Sequence, residues 1–200
     1  MVFIRVKNQI ADSDLGLLER HLTMLDKEIS EIHTSVRASR DPESDGLYDT
    51  GEYFFGQGFV AMQRYQSSVF GQFWIREGFD FDPKPKREAF LDEPPYWSGD
   101  KAVARVIHAA ANYWKHTDEW WRTTWDREGG LETEPKKKES DYTLDRLETV
   151  APWGPYYCSN ILAALTKTRE PMLSELVPQI VDWRDGLIRL HDRHEDSCPI

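Results

Sequence analysis

Hydrophobic residues recur at helical spacing in four long stretches of this chain. In the first, Leu15, Leu18, Leu22, Leu25, Ile29, Ile32 and Val36 alternate intervals of three and four, which puts them on one face of a helix. Glu19, Arg20, Lys27, Glu28 and Glu31 fall on the outer faces. The seam predicts a helix over 13–38 lying on the core of a bundle. The alternative is a dimerising coiled coil, which usually needs more heptads than this one has. A loop follows near 39–48, where Arg40 to Gly46 is rich in turn-forming residues. The second stretch, Phe55, Phe59, Met62, Tyr65, Val69 and Phe73, predicts a helix over 50–74. Asp49 and Glu52 stand at capping-box spacing before it. Gly56 and Gly58 inside it cost about 1 kcal/mol each relative to alanine. Such glycines are expected where another backbone comes close in helix-on-helix packing.

The third stretch, 98–126, is the longest uninterrupted helical pattern, and the rest of the chain is expected to be arranged around it. At about 100° per residue, Val103, Val106, Ala110, Tyr113, Trp114, Trp120 and Trp121 point one way. Lys101, Arg105, His108, Asn112, His116 and Glu119 occupy a narrow arc opposite. Ser98 or Asp100 can cap its start, and Gly129 and Gly130 end it. The fourth stretch, 168–194, carries Leu173, Leu176, Ile180, Trp183, Leu187 and Leu190, with Pro171 in the first turn and a kink expected at Pro178.

Between these lie weaker signals. Residues 76–97 read as an irregular loop, because Pro83, Pro85, Pro94 and Pro95 forbid a continuous helix. There is room for a turn or two at 86–92, and the loop's aromatics predict that it packs down on the body. Residues 127–142 read as a polar, flexible connector with Lys136, Lys137 and Lys138 in water. Short helices are expected over 143–150 and 155–167. Residues 2–6 have strand composition, but a lone strand is unstable, so they are expected to form an extended arm or the lead-in to a helix. The tail from His191 reads as a frayed end. The expected fold is all-α: one helical bundle over 1–200, with about four long and two or three short helices.

Composition narrows the function classes. A net charge of −10 and a pI near 5.1 argue against broad binding to phosphate backbones, which needs a cationic face. They favour a basic partner or none, and leave room for a local basic patch. Cys158 and Cys198 make no disulfide framework and fit a reducing compartment. The N-terminal apolar run is too short for a signal peptide, and no run approaches the roughly 18 apolar residues of a membrane span. A cytoplasmic protein without membrane contact is therefore expected. Glycine-rich phosphate loops, HExxH and GxSxG motifs are absent from the sequence. His191 and His194, with Asp192 and Glu195, have helical metal-ligand spacing, but a polar C-terminal cluster of this kind is more simply solvated. No metal and no cofactor are expected.

The candidate chemistry lies on the polar arc of the third helix. His108, Asn112 and His116 stand at i, i+4 and i+8, flanked by Arg105 and Glu119. A histidine titrates near neutrality, an asparagine orients a ligand and an arginine steadies an anion. An amphipathic helix also needs a polar face toward water, yet such faces usually favour Glu, Lys and Arg over His and Asn. The segment Ala111-Asn112-Tyr113-Trp114-Lys115-His116 resembles a degenerate copy of the HEPN superfamily motif. There, an Arg and a polar residue, often Asn, precede a catalytic His by a few positions. The resemblance implies a compact helical bundle, a homodimer as an option with the motif at its interface, and metal-independent RNA cleavage by Asn112 and His116. Ala111 stands where the family has its catalytic Arg. The expectation is therefore a non-enzymatic, acidic, antitoxin- or immunity-like protein that binds a basic protein. The alternative is a HEPN-like ribonuclease or nucleotide-binding protein of a bacterial defence or toxin–antitoxin system, using Asn112, His116, His108 and Arg105.

Overall fold

The leucine seam that begins at Leu15 folds as α1, Ser13–Ala38. In the computed structural model, the described residues are 3–6, 9–72, 87–129 and 136–197, with side chains described over 11–72, 89–117 and 141–190. Leu18, Leu22 and Ile29 are buried, while Leu15, Leu25, Ile32 and Val36 are half-buried. The seam thus lies against α2 (Leu47–Gly71) within one chain, as a bundle helix would.

The third stretch forms α3, Val103–Gly129. It packs against α2, α4 (Lys136–Glu148), α5 (Tyr157–Thr166) and α6 (Val177–Ser197). This is the central helix that the pattern predicted. Among the described residues, four helices of 21 to 27 residues and two of 10 and 13 make the all-α architecture. One apolar cluster runs through it from Leu18 to Ile188. Among the described residues, no helix is long and apolar enough to cross a membrane.

Several boundaries differ from the sequence reading, each for a local reason. The N-terminal segment does find a partner: β1 (Phe3–Val6) pairs antiparallel with β2 (Gln9–Asp12), Phe3 opposite Asp12. The lysine run expected in a loop opens α4, whose Leu144 and Leu147 are fully buried. Burial of those two side chains supplies the tertiary support that a short polar helix needs. Pro178 does not kink a long helix. Leu173–Leu176 forms a separate 3₁₀ turn, and Pro178 sits in the first turn of α6, where a missing N–H costs nothing. The segment from His191 to Ser197 continues α6 instead of fraying.

Of the aromatics in the loop before α3, Phe90 and Trp97 pack down on the body, whereas Tyr96 is 50% exposed. A 3₁₀ turn at Arg87–Asp92 buries Phe90 against Phe70, with ring centroids 5.6 Å apart. Two indoles then fasten the loop: Trp183 Nε1 donates to the Phe90 carbonyl at 2.8 Å, and Trp97 Nε1 to the Ala164 carbonyl at 2.9 Å. A small antiparallel pair, β3 (Tyr96–Ser98) and β4 (Lys101–Ala102), leads into α3. Phe79 and Phe81 lie outside the described residues.

Carboxylates organise the helix starts. Asp12 Oδ1 accepts from the Leu15 N–H at 2.9 Å and caps α1. Its Oδ2 takes the Tyr65 hydroxyl at 2.5 Å and Arg184 Nη1 at 2.8 Å, tying the N-terminal hairpin to α2 and α6. Burial, followed by the Asp12 contact, pushes the Tyr65 phenol far above its ordinary pKa. Glu52 is not half of a capping box, because α2 begins at Leu47 and is capped by Gly46, which has no side chain to accept a hydrogen bond. Its carboxylate instead accepts from the N–H groups of Cys158 and Ser159 at 2.7 and 2.9 Å and caps α5 from across the bundle. Asp26 does the same for the Leu173 turn, at 2.7 and 3.0 Å.

Two measurements probe this arrangement. Leu22 is 0% exposed and Met24, two residues on, is 68% exposed. Leu22→Ala is expected to cost about 2–5 kcal/mol in urea unfolding and Met24→Ala less than about 0.5 kcal/mol; similar losses would mean the faces of α1 are misassigned. Burial raises the Glu52 pKa above its ordinary 4.5, so folding favours its protonated form. Its contribution is full below the unfolded pKa and is lost as pH rises through the raised folded value. The stability of the parent minus that of Glu52→Gln should therefore fall from about pH 4 upward; a difference that grows with pH would contradict this.

Candidate functional site

The polar arc of α3 does not face open water. Arg105, His108, Asn112 and His116 are all half-buried, because α3 is enclosed over more of its circumference than the apolar pattern alone implies. Ala104, Ala109 and Ala111 join Val103, Val106, Ile107 and Ala110 in the core. Small side chains at these positions let neighbouring helices approach without steric penalty. Ala111 is 0% exposed, so it is part of the packed interior.

Each member of the stripe has a definite place. The Arg105 guanidinium is held in an ion pair by Asp92, at the end of the 3₁₀ turn. Asn112 Oδ1 accepts from Gln63 Nε2 at 2.8 Å, and the same amide donates to the His108 carbonyl at 3.2 Å. Gln63 Oε1 in turn accepts from Lys115 Nζ at 2.7 Å. Partial desolvation of that ammonium draws its pKa below the ordinary lysine value. His108 and His116 bracket Asn112 one turn away on either side, both half-buried. The side chain of Glu119, the last member predicted on this arc, and those of Trp120 and Trp121 lie outside the described residues. Asn112 and Lys115 are thus joined through Gln63 in one hydrogen-bonded chain, and Arg105 is held separately by Asp92.

Gln63 was not among the predicted residues, nor was Gln66, whose Nε2 donates to the Ala104 carbonyl at 2.9 Å one turn earlier on α3. Both glutamines are buried. A signal for them exists in the sequence: at helical spacing they fall inside the apolar arc set by Phe55, Phe59, Met62 and Phe70, where a polar residue must find an internal partner. They found it on α3. The contact is close because α2 is bare beside it. A Cβ at Gly56 would stand 2.1 Å from the Trp114 ring, and one at Gly58 would stand 2.4 Å from the Leu173 side chain. The glycines therefore admit an indole and a leucine, not a second backbone.

Chemically, the arrangement is a helix-to-helix clamp. An amide spans two acceptors and one ammonium, and the arginine that could steady an anion already neutralises Asp92. Cys158 is buried beside Glu52, and its thiol is pushed well above the ordinary value by burial and then by that carboxylate. It is thereby kept from the thiolate form that reacts. Among the described residues, no group of three or more His, Cys, Asp or Glu is placed to hold a metal ion; His191 and His194 lie outside the residues whose side chains are described. No protein-family model, curated protein or solved structure matches this chain.

The clamp predicts a coupled pair. Gln63→Leu is expected to cost about 1–3 kcal/mol, because it leaves the half-buried Asn112 side chain and the His108 carbonyl without the amide that joins them. Gln63→Leu with Asn112→Leu together should cost less than the sum of the single changes. Chemical denaturation of all four proteins closes the cycle, and strict additivity would show that the two side chains do not depend on each other.

Proposed function

We propose that this chain is a non-enzymatic acidic helical protein that binds a basic protein partner, in the manner of antitoxins and immunity proteins. The observation that carries the reading is a surface combining a net charge of −10 with outward-facing aromatic side chains, among them Tyr48, Tyr53 and Trp153. Aromatics are enriched at the centres of protein interfaces, and complementary charge speeds encounter and rejects wrong partners. The engagement of Asn112 by Gln63 and of Arg105 by Asp92 supports the same reading, since it gives the polar stripe a structural use.

One observation favours the second reading, a HEPN-like ribonuclease. His108, Asn112 and His116 are half-buried together on one face of α3, and a catalytic group works best partly shielded from water. The missing arginine weighs against it. Cleavage without a metal needs a base for the 2′-hydroxyl and a cation for the developing phosphorane charge.

The two readings separate in one pair of assays. The purified protein is expected to leave single-stranded RNA intact and to bind a basic protein encoded beside it, with an association rate that falls as salt rises while dissociation changes little. RNA cleavage that vanishes in His116→Ala would sink the partner-binding reading and promote the nuclease. A salt-independent association rate would remove the electrostatic argument.

A further inference from the structure

We propose that the partner docks where α2 and α5 begin, seating an arginine side chain over the Tyr48–Tyr156 ring pair beside the carboxylates of Glu43 and Asp49. This rests on the partner-binding reading and gives it a location.

The two rings come from distant parts of the sequence. Tyr48 is in the first turn of α2, and Tyr156 immediately precedes α5. Their centroids are 5.3 Å apart at an interplanar angle of 48°. Tyr48 is 38% exposed, and Trp153, three residues before Tyr156 in the same loop, is 46% exposed. Neither belongs to the buried core, whereas the next residue after Tyr156, Tyr157, does. Tyr156 is held in an uncommon way. Its φ is +59°, in the left-handed region that a bulky side chain rarely adopts. The conformation stands the ring against Tyr48, and the hydroxyl donates to Glu43 Oε1 at 3.2 Å. A backbone cost is accepted, and its visible result is an aromatic pair at the surface.

The segment that leads into Tyr48 is acidic, with Arg40 just before it. Asp41, Glu43, Asp45 and Asp49 are all exposed within nine residues that contain no lysine or arginine. Asp41 and Asp45 are engaged by their own loop, through the Ser44 N–H and the Ser39 hydroxyl, which fixes the loop's shape. Glu43 and Asp49 act electrostatically on Tyr156 itself. Among the described residues, no lysine or arginine stands over either ring, whereas Trp97 has Lys101 and Tyr142 has Arg146. This chain therefore supplies its own cations to aromatic rings elsewhere and leaves this acidic pair to an outside one. A guanidinium suits it better than an ammonium, because its plane stacks on a ring while its edge donates to a carboxylate.

The test uses the full chain and three capped peptides of alternating glycine with arginine, lysine or glutamate, with affinity read by calorimetry. Tyr156→Gly removes one ring at a position whose backbone favours glycine, so the fold is retained; Glu43→Gln removes the adjacent charge. Glu19→Gln makes the same charge change on the exposed outer side of α1. The arginine peptide is expected to bind more tightly than the lysine peptide, and the glutamate peptide not at all. Tyr156→Gly and Glu43→Gln should each weaken arginine-peptide binding by about ten-fold, while Glu19→Gln stays within about two-fold and Tyr48→Phe binds like the parent. Equal weakening by Glu43→Gln and Glu19→Gln, or no weakening by Tyr156→Gly, would overturn the location and leave partner binding standing. Failure of the parent to bind either basic peptide would overturn both.

Discussion

The fold depends on α2 being bare on two opposite sides. Gly56 and Gly58 are two residues apart, so they lie nearly opposite each other around the helix. The Trp114 indole occupies one missing side chain's place and Leu173 the other. The cost of two interior glycines, about 1 kcal/mol each, is offset by seating one of the chain's largest side chains and a fully buried leucine directly on the α2 backbone. That contact sets how close α3 comes to α2, and so brings Gln63 and Gln66 within hydrogen-bonding reach of α3. α1 then covers a remaining side of α2 with its leucine seam.

Against this packed frame, carboxylates set the ends. Asp12, Asp26 and Glu52 each accept from free N–H groups at the start of a helical segment, and two of the three do so from another part of the chain. A negative group at a helix start is favoured by the helix dipole as well as by the hydrogen bonds. Part of the acidic composition is therefore architectural. Asp12 does most: it caps α1, receives the Tyr65 hydroxyl and pairs with the buried Arg184. Losing one member of such a buried pair leaves the other charge unmatched, which is the expensive outcome. Other carboxylates, among them Asp41, Glu43 and Asp45 in the loop before α2, stay at the surface.

The polar stripe on α3 shows how one pattern can serve a purpose other than the one it suggests. His108, Asn112 and His116 are on one face, as their spacing requires. The glutamines of α2 convert part of that face into a seam between helices, and Asp92 takes up Arg105. At a different edge Tyr48 and Tyr156 meet, and the Tyr156 hydroxyl donates to Glu43.

The sequence by itself determined the all-α class, the span of α1 and the central place of α3. Apolar periodicity over about six turns outweighs any local ambiguity in α1, and the longest uninterrupted helical pattern belongs to α3. It also determined that the loop before α3 would be irregular, because prolines remove the donors a helix needs. Tertiary structure decided the rest. The hairpin at the N-terminus, the helix beginning at the lysine run and the break before Pro178 all depend on partners or burial that local propensity does not encode. Glu52 reads locally as half of a capping box but serves a helix more than a hundred residues away. Asn112 reads as a free polar group until Gln63 reaches it. Tyr48 and Tyr156 read as two unremarkable tyrosines, because a ring pair joining residues 108 positions apart is created only when the helices carrying them have been packed.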